Sequence, residues 1–504
     1  MFVRRIRNKS GVTYIQVVEK VNRQYKVLHS FGGSSDENEI QTIIARAKEW
    51  VLQQQGIVEL DFTNESQKID QVLDLITSHR IVGIDLVLGK IFDEIGFNQI
   101  GDSLFKDLVL YRLVFPRSKL KTTEYLSRYG GKYYSEDEVY RYMDKLYDVK
   151  KELVQEISYA HTQSILPTEI KVVFYDVTTV YFQSEKEDDF RKVGYSKDGK
   201  YQNPQIVLGL LVSENGYPIA YEIFEGNKFE GYTMLPIIDG FKEKYGLSKL
   251  IVVADSGLMS NNNVEQLKAG GYEFIIGARI KNEKKALKKK ITSLNLKDGE
   301  IRTIAKDDLR LIITFSNARA SKDQYNRKKG LTRLEKQVKG GKLKKENINN
   351  RGYNKFLKMT GGIRIEIDEE KIKEDEKWDG LKGYLTNSSL DERTLLDNYS
   401  QLWKIEKAFR IVKSELKIRP VFHYKKRRIE GHFCLTFAAY KVYKELERQL
   451  KEMRSEFSPE KVIDIIKSIY QIELTAEKTN KKIKRVLILT DEQKKLSQLF
   501  DFGC

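Results

Sequence analysis

Histidine, cysteine and proline are all scarce in this chain of 504 residues. The five histidines form no HExxH pair and the two cysteines, Cys434 and Cys504, form no CxxC. A zinc site is therefore unsupported. Two distant thiols also argue against a disulfide framework and fit a reducing cytosol. With seven prolines there is no long proline-rich linker. No apolar run approaches the roughly 20 residues of a membrane helix. The N-terminal MFVRRIRNKSG lacks the apolar core of a secretion signal. No amphipathic anchor or lipidation signal supports a membrane partner. A Walker A loop is missing, which argues against ATP use, and no GxSxG nucleophile elbow occurs.

What is abundant is positive charge. Lys and Arg total 89 against 72 for Asp and Glu, a net charge of +17 spread along the chain. The simplest partner for such a chain is nucleic acid. The expected location is the cytoplasm, in association with the nucleoid. At 40% hydrophobic residues, the sequence can also fill sizeable cores.

Periodicity divides the chain. Residues 1–60 read as a small β-meander with turns at Gly11 and Asn22-Arg23, followed by a helix carrying Ile40, Ile43, Ile44, Ala47 and Val51 on one side. Residues 80–167 read as helical, a candidate DNA-binding domain, with Ser135 and Glu138 spaced as a helix start. From 168 to 282 the order is β-β-β-α-β-α-β, with Glu214-Asn215-Gly216 as a hairpin turn. Three meander strands followed by two crossover strands are the pattern of an RNase H-like core. Residues 283–390 read as a β-rich insertion with a basic arm, NRKKGLTRLEKQVKGGKLKKENINNRGYNK. Residues 391–450 return to the core, and 451–504 form a C-terminal helical region. The expected fold class is thus α/β, an RNase H-like catalytic core preceded by the meander and the helical domain.

Three carboxylates stand out against this background. Asp176 lies inside a buried-type strand, KVVFYDVTTVYF, and Asp255 ends another, LIVVADSGL. A carboxylate there is costly unless it is paired or binds a metal. Glu406 lies in YSQLWKIEKAFRIVKSELKIR, Tyr399 to Arg419, which reads as one helix running to Pro420. Leu402, Ile405, Phe409, Val412 and Leu416 form its apolar stripe, and Glu406 sits at the stripe's edge among bases. Phosphodiester chemistry uses hard divalent cations with oxygen ligands, and three carboxylates can bridge two of them.

These segments resemble the transposases of bacterial insertion sequences of the IS4 type, in particular the IS1634 group. YDVTTVYF is similar to their first Asp segment and VVADSGL to the second. WDGLKGYLTN leading to Tyr399, Leu402, Glu406 and Lys413 is similar to the third, and RIEGHFCLTFAAY to the helix after it. The resemblance implies a catalytic, metal-binding triad of Asp176, Asp255 and Glu406, with Mg²⁺ as cofactor and Mn²⁺ as the alternative ion. It implies cleavage at the element's terminal inverted repeats and joining to target DNA, by a multimer, most simply a homodimer. Tyr399 and Lys413 would contact DNA. Leu402 departs from the family pattern, which has Arg. At about 100° per residue, Tyr399, Leu402, Glu406 and Lys413 fall within roughly 60° of one another on one helix. Arg410, beside that sector, could supply the missing charge. The rival expectations are a structure-specific nuclease on the same core and a catalytically inactive DNA-binding derivative.

Overall fold

The computed structural model describes the chain except residues 22–23, 55–64, 168, 197, 248, 259, 342, 361–363, 476–481 and 503–504. The Asn22-Arg23 turn and Cys504 lie outside the described residues. Two compact units form: Met1–His79 with Ile472–Arg485, and Arg80–Gln471 with Val486–Cys504.

In the first unit, strands Phe2–Arg7, Thr13–Val21 and Gln24–Ser34 pair antiparallel in sequence order. Helix Glu37–Gln54 covers the sheet, and Ile40, Ile44 and Ala47 pack on Ile15 and Val17. Both periods expected from the sequence are present, two residues in the strands and about 3.6 in the helix.

The second unit is built on an eight-stranded mixed sheet. Strand Val172–Tyr181 is central. It pairs antiparallel with Gln205–Ser213, which pairs antiparallel with Pro218–Glu225. Gly216, at φ +77°, makes the expected turn between the latter two. On its other side Val172–Tyr181 runs parallel to Ile251–Ala254, which is parallel to Glu273–Ala278. Helices Met234–Tyr245 and Asn261–Ala269 make the crossovers. This is the meander-plus-crossover order read from the sequence. Both faces are covered: Val173, Tyr175 and Val177 pack with Ile237, Ile238 and Phe241. Phe174 and Val180 pack with Ile405, Phe409 and Val412. Burial on two faces explains why these strands read as continuous apolar runs.

The helical stretch after residue 80 shares this second core. Phe92, Leu108 and Met143 belong to the same apolar cluster as Phe174 and as Phe433 and Leu446 of the long helix Lys426–Glu452. Ser135 caps Glu136–Lys145 as expected, accepting from the Glu138 amide at 3.1 Å.

Two expectations are corrected. The 283–390 stretch is not simply a β-rich insertion with a loose basic arm. Strands Ile301–Lys306, Leu309–Phe315 and Leu381–Thr386 extend the main sheet, the last pairing antiparallel with Glu273–Ala278. Most of the basic run is helix, Asn317–Lys339. The charges mask a stripe at helical spacing: Leu331, Leu334 and Val338 pack with Phe356, Leu357 and Ile372. Arg327, almost fully covered, is anchored to Asp379 at 2.6 Å. Nor is Tyr399 to Arg419 one helix. Helix Glu392–Ser400 ends, a turn follows, and Trp403–Ser414 begins anew. The second helix stops before Pro420 because Lys417 takes a left-handed conformation, φ +45°, while the Ile418 amide bonds back to Val412.

Candidate active site

The strand register brings the two aspartates together. Val172 lies opposite Ile251 and Tyr175 opposite Ala254. Asp176 and Asp255 are the next residues along each chain, so they are neighbours at roughly the 4.8 Å spacing between strands. Alternation turns both toward the face of Phe174 and Val253, where helix Trp403–Ser414 packs. Asp176 is half-buried and accepts a hydrogen bond from the Val177 amide at 2.8 Å. Asp255 is exposed at the strand end, opening a short turn through Ser256–Leu258.

The expected stripe of Leu402, Ile405, Phe409, Val412 and Leu416 is buried throughout and holds the helix on the sheet. Glu406 is exposed in its first turns. Among the described residues it forms no ion pair with Arg410.

Two side chains link Glu406 to the aspartates. Tyr399 is buried and its pKa is raised, by burial first and then by the Asp255 charge, with Glu406 adding to the effect. Its ring stacks edge-on to Tyr384 at 4.6 Å between centroids. Lys382, in strand Leu381–Thr386, places its ammonium 4.6 Å from the centre of the Tyr399 ring. Burial lowers the Lys382 pKa, the nearby Arg319 adds to this, and the Asp255 and Glu406 carboxylates oppose it. Lys382 is thus a cation set beside two of the three carboxylates.

The expected DNA-contacting residues separate. Tyr399 belongs to the preceding helix and faces inward, not along the Glu406 helix with Lys413. Arg410 is exposed. Lys413 lies about 10 Å beyond Glu406 along the helix, at 1.5 Å per residue. There it reaches Asp198 at 3.4 Å, a carboxylate it shares with Arg419.

Sequence reasoning missed Lys382 and Arg319. Lys382 had a signal, a lone lysine within an apolar strand that leads into the Glu406 segment. Arg319 had none, because its helix is far along the chain and was read as a basic arm. Gly277 was missed too. A methyl group there would lie 2.6 Å from the Tyr399 hydroxyl, so the glycine makes room for that side chain.

Residues 167–441 match the family model described as the transposase DDE domain. The chain belongs to this DDE transposase family. No curated protein matches it. Two solved structures are similar at low level. One is a cryo-EM structure of the piggyBac transposase synaptic complex with hairpin DNA. It has 9% identity and a TM-score of 0.38 over 76% of this chain and 79% of that one. The other is the Mos1 transposase paired-end complex with the left transposon end. It has 10% identity and a TM-score of 0.16 over 31% of this chain and 53% of that one. Among the described residues no helix is long and apolar enough to cross a membrane.

A divalent metal is what DDE chemistry calls for. The donor types suit it, since hard oxygens are available and no thiolate or imidazole competes. The aspartate pair fits. Among the described residues, however, no group of three or more His, Cys, Asp or Glu stands close enough to hold an ion. Glu406 remains outside such a cluster, with Lys382 beside it.

Proposed function

We propose that this DDE transposase is the enzyme of an insertion sequence of the IS4 type, IS1634 group, with an RNase H-like core. It cleaves the terminal inverted repeats and joins the freed 3′ ends to target DNA, as a homodimer on paired ends. The register-neighbouring Asp176 and Asp255 on the face covered by the Glu406 helix carry this reading, within a span that matches the DDE domain.

Asp176 and Asp255 would hold Mg²⁺ or Mn²⁺, and Glu406 would complete the ligand set from the helix. The metal, when bound, supplies polarisation of the phosphodiester and a lowered pKa for the attacking hydroxyl or water. The protein's part is positional. The sheet fixes the two aspartates, and the apolar stripe holds Glu406 over them. Tyr399 braces Asp255 from the opposite helix. Lys382 and Arg319 add positive charge at the edge, suited to a phosphate that must approach three carboxylates. Arg410, exposed on the Glu406 helix, and Lys413, once exchanged from Asp198, would contact the DNA backbone.

The test is Asp176→Asn in a Mg²⁺-dependent assay on DNA carrying the element's terminal repeat. Cleavage should be abolished while binding to the same DNA persists. Full cleavage by the variant would overturn the assignment. A strand-transfer assay separates a transposase, which joins a 3′ end to a second DNA, from a nuclease that only cuts.

A further inference from the structure

A buried basic cluster lies outside the carboxylate site, at the start of helix Lys119–Gly130. Arg112, Lys119, His423 and His432 are each more than nine-tenths buried, at 5%, 5%, 9% and 6% exposure. The segment after the Glu406 helix ties two of them together. Arg112 Nη2 donates to the Lys417 carbonyl at 2.6 Å, and His432 Nε2 lies 3.1 Å from the next carbonyl, Ile418. The His423 and His432 rings are 5.5 Å apart.

Every electrostatic effect here disfavours a cation. Lys119 is desolvated and bears the like charge of Arg112. It also occupies the first position of its helix, where the aligned peptide dipoles present positive charge. Burial pushes His423 down to about 3, and the Lys119, Arg428 and Arg112 charges act in the same direction. The nearby carboxylates are engaged elsewhere: Glu124 with Lys121 at 2.5 Å, and Asp144 with Arg428 at 3.2 Å. Arg112 Nε and His432 Nδ1 are buried without a hydrogen-bond partner. A buried charge with nothing opposing it is costly and asks for a counter-ion.

The same place offers one a seat. The first amides of a helix have no partner within it and suit an oxyanion. Only the Lys121 amide is met by the Ser118 side chain, at 3.3 Å. Arg117, Ser118 and Leu120 are exposed, so this helix start reaches solvent. We infer that the N-terminus of helix Lys119–Gly130, with Lys119 and Arg112 Nε, is a binding site for a phosphate-class oxyanion. The site is separate from the carboxylate centre and does not rest on the proposed function. Its occupant is either a DNA backbone phosphate or a free phosphate, which share this chemistry.

The test titrates the full-length protein with inorganic phosphate by calorimetry, in chloride buffer of constant ionic strength, with thermal unfolding in parallel. Wild type should bind saturably and its Tm should rise with phosphate. Lys119→Met should weaken binding by at least about tenfold, the worth of one charge-assisted hydrogen bond. Lys121→Met, on the same turn but paired with Glu124, should bind as wild type does. Absence of saturable binding to wild type overturns the inference whether or not the variants fold. Undiminished binding by Lys119→Met overturns it as well. A second arm adds saturating duplex DNA. Loss of the phosphate heat, with weaker duplex binding by Lys119→Met, identifies a backbone phosphate. Unchanged heat identifies a free one.

Discussion

Gly277→Ala is the sharpest perturbation of the carboxylate site that touches no carboxylate. Gly277 is buried in strand Glu273–Ala278, where its missing side chain lets the Tyr399 hydroxyl approach. A methyl group would lie 2.6 Å from that oxygen, 3.1 Å from the Ser256 amide nitrogen and 3.3 Å from Ser256 Cβ. Tyr399 cannot retreat freely, because Tyr384 and Lys382 pack against its ring. Overpacking of this kind costs about 1–3 kcal/mol. Alanine recovers about 0.5–1 kcal/mol over glycine in a strand, which leaves a net loss of about 1–2 kcal/mol. Tyr399→Phe removes the offending oxygen along with its contact to Asp255, at about 1.5 kcal/mol. In the double variant the overlap with Oη is gone, so the alanine should cost almost nothing. Urea unfolding of the four proteins should therefore give a double variant more stable than the summed single effects by about 1–2 kcal/mol. Mg²⁺-dependent nicking should fall in Gly277→Ala, because Ser256 follows Asp255 directly. A double variant within about 0.5 kcal/mol of the sum would refute the packing of Tyr399 against Gly277.

Lys382→Met should lower Mg²⁺-dependent cleavage by about tenfold or more while leaving urea stability nearly unchanged, since a desolvated ammonium is exchanged for an apolar chain of similar length. Wild-type cleavage by that variant would remove Lys382 from the site. Arg410→Ala should weaken binding to terminal-repeat DNA and flatten its dependence on salt, read by fluorescence anisotropy at several salt concentrations. Ile405→Ala, at a fully buried position under the Glu406 helix, should cost about 2–5 kcal/mol in urea unfolding. Stability should also fall on acidification. Burial, then the Lys441 charge, pushes His161 down to about 4, against an unfolded value near 6.5. The native state therefore binds fewer protons below pH 6.5. His161's contribution is complete above that pH and is lost toward pH 4 by about 1.4 kcal/mol per unit. Urea titrations at pH 7, 6 and 5 should show this slope, and His161→Gln should reduce it.

Much of this protein was legible in one dimension, for a physical reason. Patterns set by neighbours along the chain survive folding. The meander of residues 2–34, the Gly216 hairpin, the Ser135 cap and the stripe from Leu402 to Leu416 are each written in local spacing and turn chemistry. Asp176 and Asp255 stood out because a carboxylate in an apolar strand is conspicuous before any contact is known. What depended on partners distant in sequence was not legible. The Asn317–Lys339 helix hides three apolar positions among bases, and only Phe356, Leu357 and Ile372 reveal what they are for. The break between Ser400 and Trp403 has no glycine or proline to announce it. It arises because Tyr399 turns in to Asp255 while Leu402 and Ile405 pack beneath the sheet. Lys382, Arg319 and Gly277 came to the site by sheet pairing, and Arg112 and Lys119 were driven together by the closing of the helical core. The sequence by itself determined the elements and the acidic residues that chemistry would use. The tertiary structure decided which charges meet, because electrostatic cost depends on burial and on neighbours that only the folded chain supplies.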